Sequence, residues 1–287
     1  MIRFFLNASA SVLLLACGTS PGRSAGPSGI SGQTGLTQNR VNDTTAIAKW
    51  DALSAAEKDR VKSVNMLYLH QSVGQDLEDG CAQLGFAWEY IALDSGPPKP
   101  GLNGGIFNDF GGISNGYPLD KMDAFKAKAL QYKTSFSVVM MSFGYADVSE
   151  TAKDNPGDVD VTQQQLKDAY VALTSALKAQ GLRVVHITPP LVYSTSENPL
   201  KLSLRQWMIT TFPNDVIFDL QEVESLDAGV RCEEGGVWRI CQANRATAAC
   251  DSDQAPGGDG DGAGHLCRTK APMIAKPLLY SIYQASL

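Results

Sequence analysis

The sequence predicts an α/β domain, a three-layer α/β/α sandwich around a flavodoxin-like, five-stranded parallel sheet. Three observations predict it. Five short apolar runs are rich in β-branched or aromatic residues, segments with helical periodicity lie between them, and neither a mid-chain linker nor a repeat breaks the alternation. Strands that alternate with helices imply parallel pairing, helices on both faces and crossovers of the usual hand.

In chain order, residues 1–17 carry a single Arg3, an apolar stretch through Val12, Leu13, Leu14 and Leu15, and then Ala16 and Cys17, the layout of an export signal. The stretch is too short to span a membrane as a mature helix. Leu14-Leu15-Ala16-Cys17 resembles the bacterial lipobox, which implies lipidation of Cys17, a membrane anchor and, since no Asp follows, the outer membrane. Residues 18–43 are rich in Gly, Ser, Thr and Pro and read as a flexible tether, because they cannot offset ordering entropy by burial. Residues 44–287 are then one domain, opened by a capping box at Ser54 and Glu57. Its strands are expected at Asn65 to His70, Phe86 to Leu93, Ser137 to Phe143, Arg183 to Pro189 and Val216 to Leu220. The clearest helix runs from Thr162 to Gln180, where Leu166, Tyr170, Leu173 and Leu177 make one apolar stripe and Gly181 stops it. Others run from Leu119 to Tyr132 and from about Lys270 to Tyr283.

Composition excludes some functions. A hydrophobic fraction of 44% supports a full core, while a formal net charge of -6 and the absence of a basic run argue against a nucleic-acid partner. A monomer is the expected unit, and no cofactor motif is present. Beyond Cys17, the cysteines are Cys81, Cys232, Cys241, Cys250 and Cys267, without a CxxC pair. Export makes disulfides the expected state. The last four allow two bridges in three connectivities, with Cys81 a free thiol or a partner displacing one of them.

In open parallel sheets the ligand crevice lies beyond the carboxyl ends of the strands. There, after the first run, stands His70-Gln71-Ser72-Val73-Gly74 and a helix. A serine at such a turn exposes its hydroxyl beside the N–H groups of a helix start, although a serine there is also an ordinary N-cap. The chain has three histidines, His70, His186 and His265. His186 lies inside a strand and reads as a buried structural residue. His265 follows the Gly/Asp loop from Gly258 to Gly264, where a base can stand over a site.

These motifs resemble the SGNH (GDSL-type) hydrolases, in the branch whose opening reads His-x-Ser-x-Gly. The resemblance runs over roughly residues 64 to 280. It implies a serine esterase or deacetylase acting on an acyl ester, carbohydrate-borne or otherwise small, with Ser72 as nucleophile and His265 as base. It also implies an acid shortly before the base: Asp261 by the match of Asp261-Gly262-Ala263-Gly264-His265-Leu266 with one extra residue, or Asp259. Gly112-Ile113-Ser114-Asn115-Gly116-Tyr117-Pro118, followed by Lys121, resembles the branch's Gly-x-Asn-x-x-Pro-x-x-Lys stretch and implies Gly112 as an oxyanion donor. Gly144-Tyr145-Ala146-Asp147 departs from the family's Gly-x-Asn-Asp, since Ala146 cannot donate. One such donor is worth about 2.7–4 kcal/mol, so activity is expected to be slowed rather than abolished. Asn115 is the substitute to consider, and Asp147 either binds a substrate hydroxyl or braces the site.

The alternative is a catalytically weakened domain of the same fold that binds cell-surface polysaccharide. Calcium binding by Asp251, Asp253, Asp259 and Asp261 is disfavoured, because the spacing fits no EF-hand and the terminal Glu is missing. Asp219 and Glu222 either line the crevice or cap a helix. Trp88, Trp207 and Trp238 either stack on sugars or fill the core.

Overall fold

The structure, a computed structural model, describes residues 40–287 except 156, 248–249 and 251–260, with the backbone alone at 261–262. The export signal, Cys17 and nearly all of the tether lie outside the described residues. So do Asp251, Asp253 and Asp259. In chain order the sheet strands are β1 (Val41–Asn42), β2 (Met66–His70), β3 (Glu89–Tyr90), β4 (Leu102–Ile106), β5 (Val138–Met141), β6 (Arg183–Ile187) and β7 (Val216–Phe218). They are all parallel, in the spatial order β1-β7-β6-β5-β2-β4-β3.

β2 explains why the sheet needs two covers. All five of its residues are buried. Met66 and Tyr68 join one core while Leu67 and Leu69 join the other, the continuous apolar pattern of a strand covered on both faces. The first core lies under α1 (Thr45–Ala52), α2 (Ala55–Lys62), α3 (Val73–Gln83), the short α7 (Leu220–Glu224) and α8 (Ala271–Ser286); the second lies under α4 (Pro118–Gln131), α5 (Gln163–Lys178) and α6 (Asn198–Thr211). This is the expected three-layer sandwich. α5 buries the expected stripe of Leu166, Tyr170, Leu173 and Leu177, and its Thr162–Gln165 capping box matches the one that Ser54 and Glu57 form on α2. Each fully buried Leu or Met in these faces contributes about 1.5–3 kcal/mol over its exposed state.

The sheet has seven strands where five were expected. β1 takes up Val41 and Asn42, read from sequence as the end of the tether; Asn42 is buried and its amide reaches Ser281 Oγ (2.9 Å) and Gln284 Oε1 (2.7 Å) on α8. β4 was hidden by Gly104 and Gly105, which weaken any strand pattern. Both glycines answer to close neighbours. A Cβ on Gly104 would lie 1.7 Å from Glu78 Oε1, and one on Gly105 would lie 2.2 Å from Ile91 O. The run from Phe86 to Leu93 contributes only Glu89 and Tyr90, exposed at the sheet edge.

After β7 the chain forms small ribbons, of which the pair Arg245–Thr247 and Asp261–Leu266 matters most because it carries His265. Two disulfides bind this region, Cys232–Cys241 and Cys250–Cys267, and Cys81 is a buried free thiol on α3. Burial pushes that thiol well above the usual cysteine range. Among the described residues no helix is long and apolar enough to cross a membrane.

Candidate active site

The site is built on the turn between β2 and α3. Ser72 caps α3 with φ 17° and ψ −80°, neither helical nor extended, and its Oγ is buried without a hydrogen-bond partner. Of the N–H groups that open α3, those of Gly74 and Gln75 donate to Gln71 O (2.7 Å) and Ser72 O (2.8 Å). α3 can come this close because of Gly74. A Cβ there would lie 2.2 Å from His70 Cβ and 2.8 Å from Tyr68 Oη. The His-x-Ser-x-Gly motif therefore has a packing logic: the buried His70 ring fills the space below α3, its Nε2 3.0 Å from Glu78 Oε1, and glycine leaves room for it.

One turn along α3 stands Asp76, whose N–H donates to Ser72 O at 3.3 Å. Residues four apart on a helix share a face. The buried Asp76 carboxylate lies 3.0 Å from His265 Nδ1 and accepts the Leu266 N–H at 2.8 Å, both on Oδ2. Burial raises the Asp76 carboxyl above the ordinary range, and the contact with His265 works against that rise. An ionised carboxylate at this distance accepts from Nδ1–H and leaves Nε2 as the basic nitrogen. The imidazole is thus seated on the first turn of the helix that Ser72 caps. The Ser72–His265 hydrogen bond itself is not formed, a common condition of such sites without substrate.

The acid beside the imidazole is Asp76, which corrects the expectation of Asp261. From 261 to 266 the chain is extended, so a residue four positions before His265 begins about 13 Å away along the strand. The ribbon is held down by other means. Tyr193 N–H donates to Ala263 O at 2.9 Å, and a Cβ on Gly264 would lie 2.4 Å from Leu191 O, so only glycine fits there. Leu191 is anchored below by its N–H on Glu224 Oε1 at 2.5 Å, and burial pushes the Glu224 carboxyl well above its usual range.

The other expected residues divide. The Gly112 N–H, expected as an oxyanion donor, is engaged by Asn108 O at 2.9 Å, and with φ 76° Gly112 closes that turn in the left-handed region. Asp147 does not face a substrate. It is fully buried, and its carboxylate is taken by Lys121 Nζ (2.8 and 2.7 Å), Gly116 N–H (2.7 Å) and Gly144 N–H (2.6 Å), so it braces the two loops. Asn115 is exposed, its Oδ1 3.0 Å from the point that a Gly144 Cβ would occupy, and Gln71 Cβ lies 3.6 Å from the same point. Tyr145, not anticipated, sets its ring edge-on to His265 with centroids 6.1 Å apart. Burial raises its phenol, and the charges of Glu197 and Asp76 add to this.

His186 has the expected structural role, held between Tyr170 Oη at 3.0 Å and Asp215 Oδ2 at 2.9 Å and stacked on Phe212. Asp219 caps α7 and takes both Nε (2.8 Å) and Nη2 (2.6 Å) of Arg205, and Glu222 pairs with Arg231. Trp238 is covered by the guanidinium groups of Arg205 and Arg231, Trp207 packs against the core under α5 and α6, and Trp88 packs against the core under α3. None of the three is a free stacking platform.

No family model matches the chain, and no curated protein is significantly similar to it. Among solved structures it is similar to a protein assigned to the lipolytic G-D-S-L family from Desulfitobacterium hafniense DCB-2, at 10% identity and a TM-score of 0.45, over 75% of this chain and 98% of that one. It is also similar to a protein assigned as an acylhydrolase from Bacteroides fragilis NCTC 9343, at 10% identity and a TM-score of 0.40, over 65% and 86% of the two chains. At these values the likeness says nothing about chemistry.

Proposed function

We propose that the protein is a serine ester hydrolase of the SGNH type, with Ser72 as nucleophile, His265 as general base and Asp76 as the carboxylate that orients the imidazole. One observation carries the reading: Asp76 holds both His265 Nδ1 and the Leu266 N–H on the first turn of the helix that Ser72 caps. His265 takes the Ser72 proton as Oγ attacks the acyl carbon and returns it to the leaving alcohol; a water activated by the same base then releases the acid. The sequence features of export favour a small acyl ester on an extracytoplasmic carbohydrate, hydrolysed by a monomer anchored through lipidated Cys17 in the outer membrane.

The test compares wild type with Ser72→Ala on p-nitrophenyl acetate and on acetylated xylan. Wild type is expected to turn over at least one of them, with kcat lowered at least about a hundredfold in the variant. A polysaccharide-binding domain is the second reading, favoured by the engaged Gly112 N–H and by Ala146. Absence of turnover on every ester, or equal rates in the two proteins, selects it.

A further inference from the structure

Buried polar side-chain atoms nearly always have a hydrogen-bond partner, so an orphaned one calls for a group that would complete it. The turn after β2 holds two on consecutive residues: Ser72 Oγ, which the proposed mechanism uses, and Gln71 Oε1, which it does not. Gln71 is only 7% exposed, and its amide is held in place. Nε2 donates to Asn108 Oδ1, in the short helical turn at 107–109 that follows β4, and Asn108 O in turn accepts the Gly112 N–H at 2.9 Å. On the side of β5, Gln71 Cβ lies 3.6 Å from the point that a Cβ on Gly144 would occupy. β2 runs between β4 and β5, so Gln71 lies across the carboxyl ends of three adjacent strands, where open parallel sheets bind ligands.

A carboxamide oxygen only accepts, through two lone pairs, and with Nε2 committed to Asn108 it is the part of Gln71 left for a ligand. An ester group has no donor of its own. The O–H or N–H that satisfies Gln71 must therefore be a second group on the substrate, and because Gln71 is next to Ser72 that group must stand close to the scissile ester. A site built around a buried polar group discriminates strongly against analogues that leave the group unpaired.

We propose that Gln71 is a specificity-determining residue whose Oε1 accepts from a hydroxyl or amide N–H vicinal to the scissile ester; this rests on the hydrolase reading above and narrows it. The substrate class is then the monoester of a vicinal diol or of an N-acylated amino alcohol. Esters that lack the neighbouring donor, fully acylated ones among them, are poor substrates.

The experiment measures kcat/KM of the full chain on 2-hydroxyethyl acetate, 2-acetamidoethyl acetate and 2-methoxyethyl acetate, the last of which has no donor, with p-nitrophenyl acetate as a check of turnover. Wild type is expected to favour at least one of the first two over the methoxy ester by about tenfold or more, and the better of them tells whether the donor is O–H or N–H. Gln71→Met keeps the length but loses the acceptor, and its preference should fall to within about threefold of unity; Gln71→Glu keeps an acceptor and should retain the preference. Each preference is a ratio measured on one protein preparation, so a fraction lost to misfolding cancels and a purely structural role leaves it unmoved. A wild type that turns over p-nitrophenyl acetate without preferring a donor ester, or a Gln71→Met variant with the wild-type preference, overturns the assignment while the Ser72 reading stands. A wild type without turnover of any ester overturns both.

Discussion

A carboxylate four residues after a serine on one helix stands directly above it, and Asp76 uses that position to reach a histidine 189 residues away. Asp76→Asn keeps the shape and an acceptor but loses the charge that stabilises an imidazolium. kcat is expected to fall by roughly 10²–10⁴ at pH 7–8 with KM little changed, and steady-state kinetics showing a loss under about threefold would remove Asp76 from the mechanism. The same residue has a stability signature. Because burial raises its carboxyl, the native state holds the proton more tightly than the unfolded chain; the stability this brings is complete below the ordinary aspartate range and is lost as pH rises through the native value. Urea unfolding of Asp76→Asn should therefore shift in the variant's favour, relative to wild type, as pH is raised from the ordinary aspartate range toward neutrality. Ser72 and His265 were singled out by local signals, a serine between strand and helix and a histidine on a Gly-rich loop, and their roles as nucleophile and base belong to the proposal. Asp76 was not, because its role comes from a long-range contact and the residues near His265 in sequence drew the assignment. Its position one turn after Ser72 was the signal available.

At the scale of elements, the site depends on how closely α3 lies on the sheet. Helix propensity alone predicts that alanine at Gly74 stabilises α3 by about 1 kcal/mol. Packing predicts the opposite, since the added Cβ meets His70 Cβ at 2.2 Å and the helix must lift. Gly74→Ala is expected to lower unfolding free energy by about 1–3 kcal/mol in urea titration. An unchanged or raised value would mean that α3 is not seated as described. Glycine also set the limit on reading the strands. β2, β5, β6 and β7 were legible as apolar runs, whereas β4 places two glycines beneath Glu78 and Ile91 and so has no side chains to announce it. β1 is two residues long, below what any periodicity can carry.

For the molecule as a whole, the parallel sheet gathers the ends of β2 and β5, the loop at 112–117 and the ribbon at 261–266 into one region. Two of these are braced against each other by Asp147 and Lys121, and the ribbon is gripped by Asp76 and closed by Cys250–Cys267. The α/β class and its two-sided core were legible because alternation of strands and helices is a whole-chain signal. The contacts that assemble the site were not, since they join segments far apart in sequence through single side chains. The claim that follows from this assembly is that His265, held by Asp76, activates Ser72. A fluorophosphonate tests it most directly, because it reacts preferentially with an activated serine and needs no knowledge of the natural ester. Intact mass and peptide mapping of the full chain should find one adduct, on Ser72, forming at least about a hundredfold more slowly in His265→Ala. No adduct, or an adduct elsewhere with Ser72 unmodified, would contradict it.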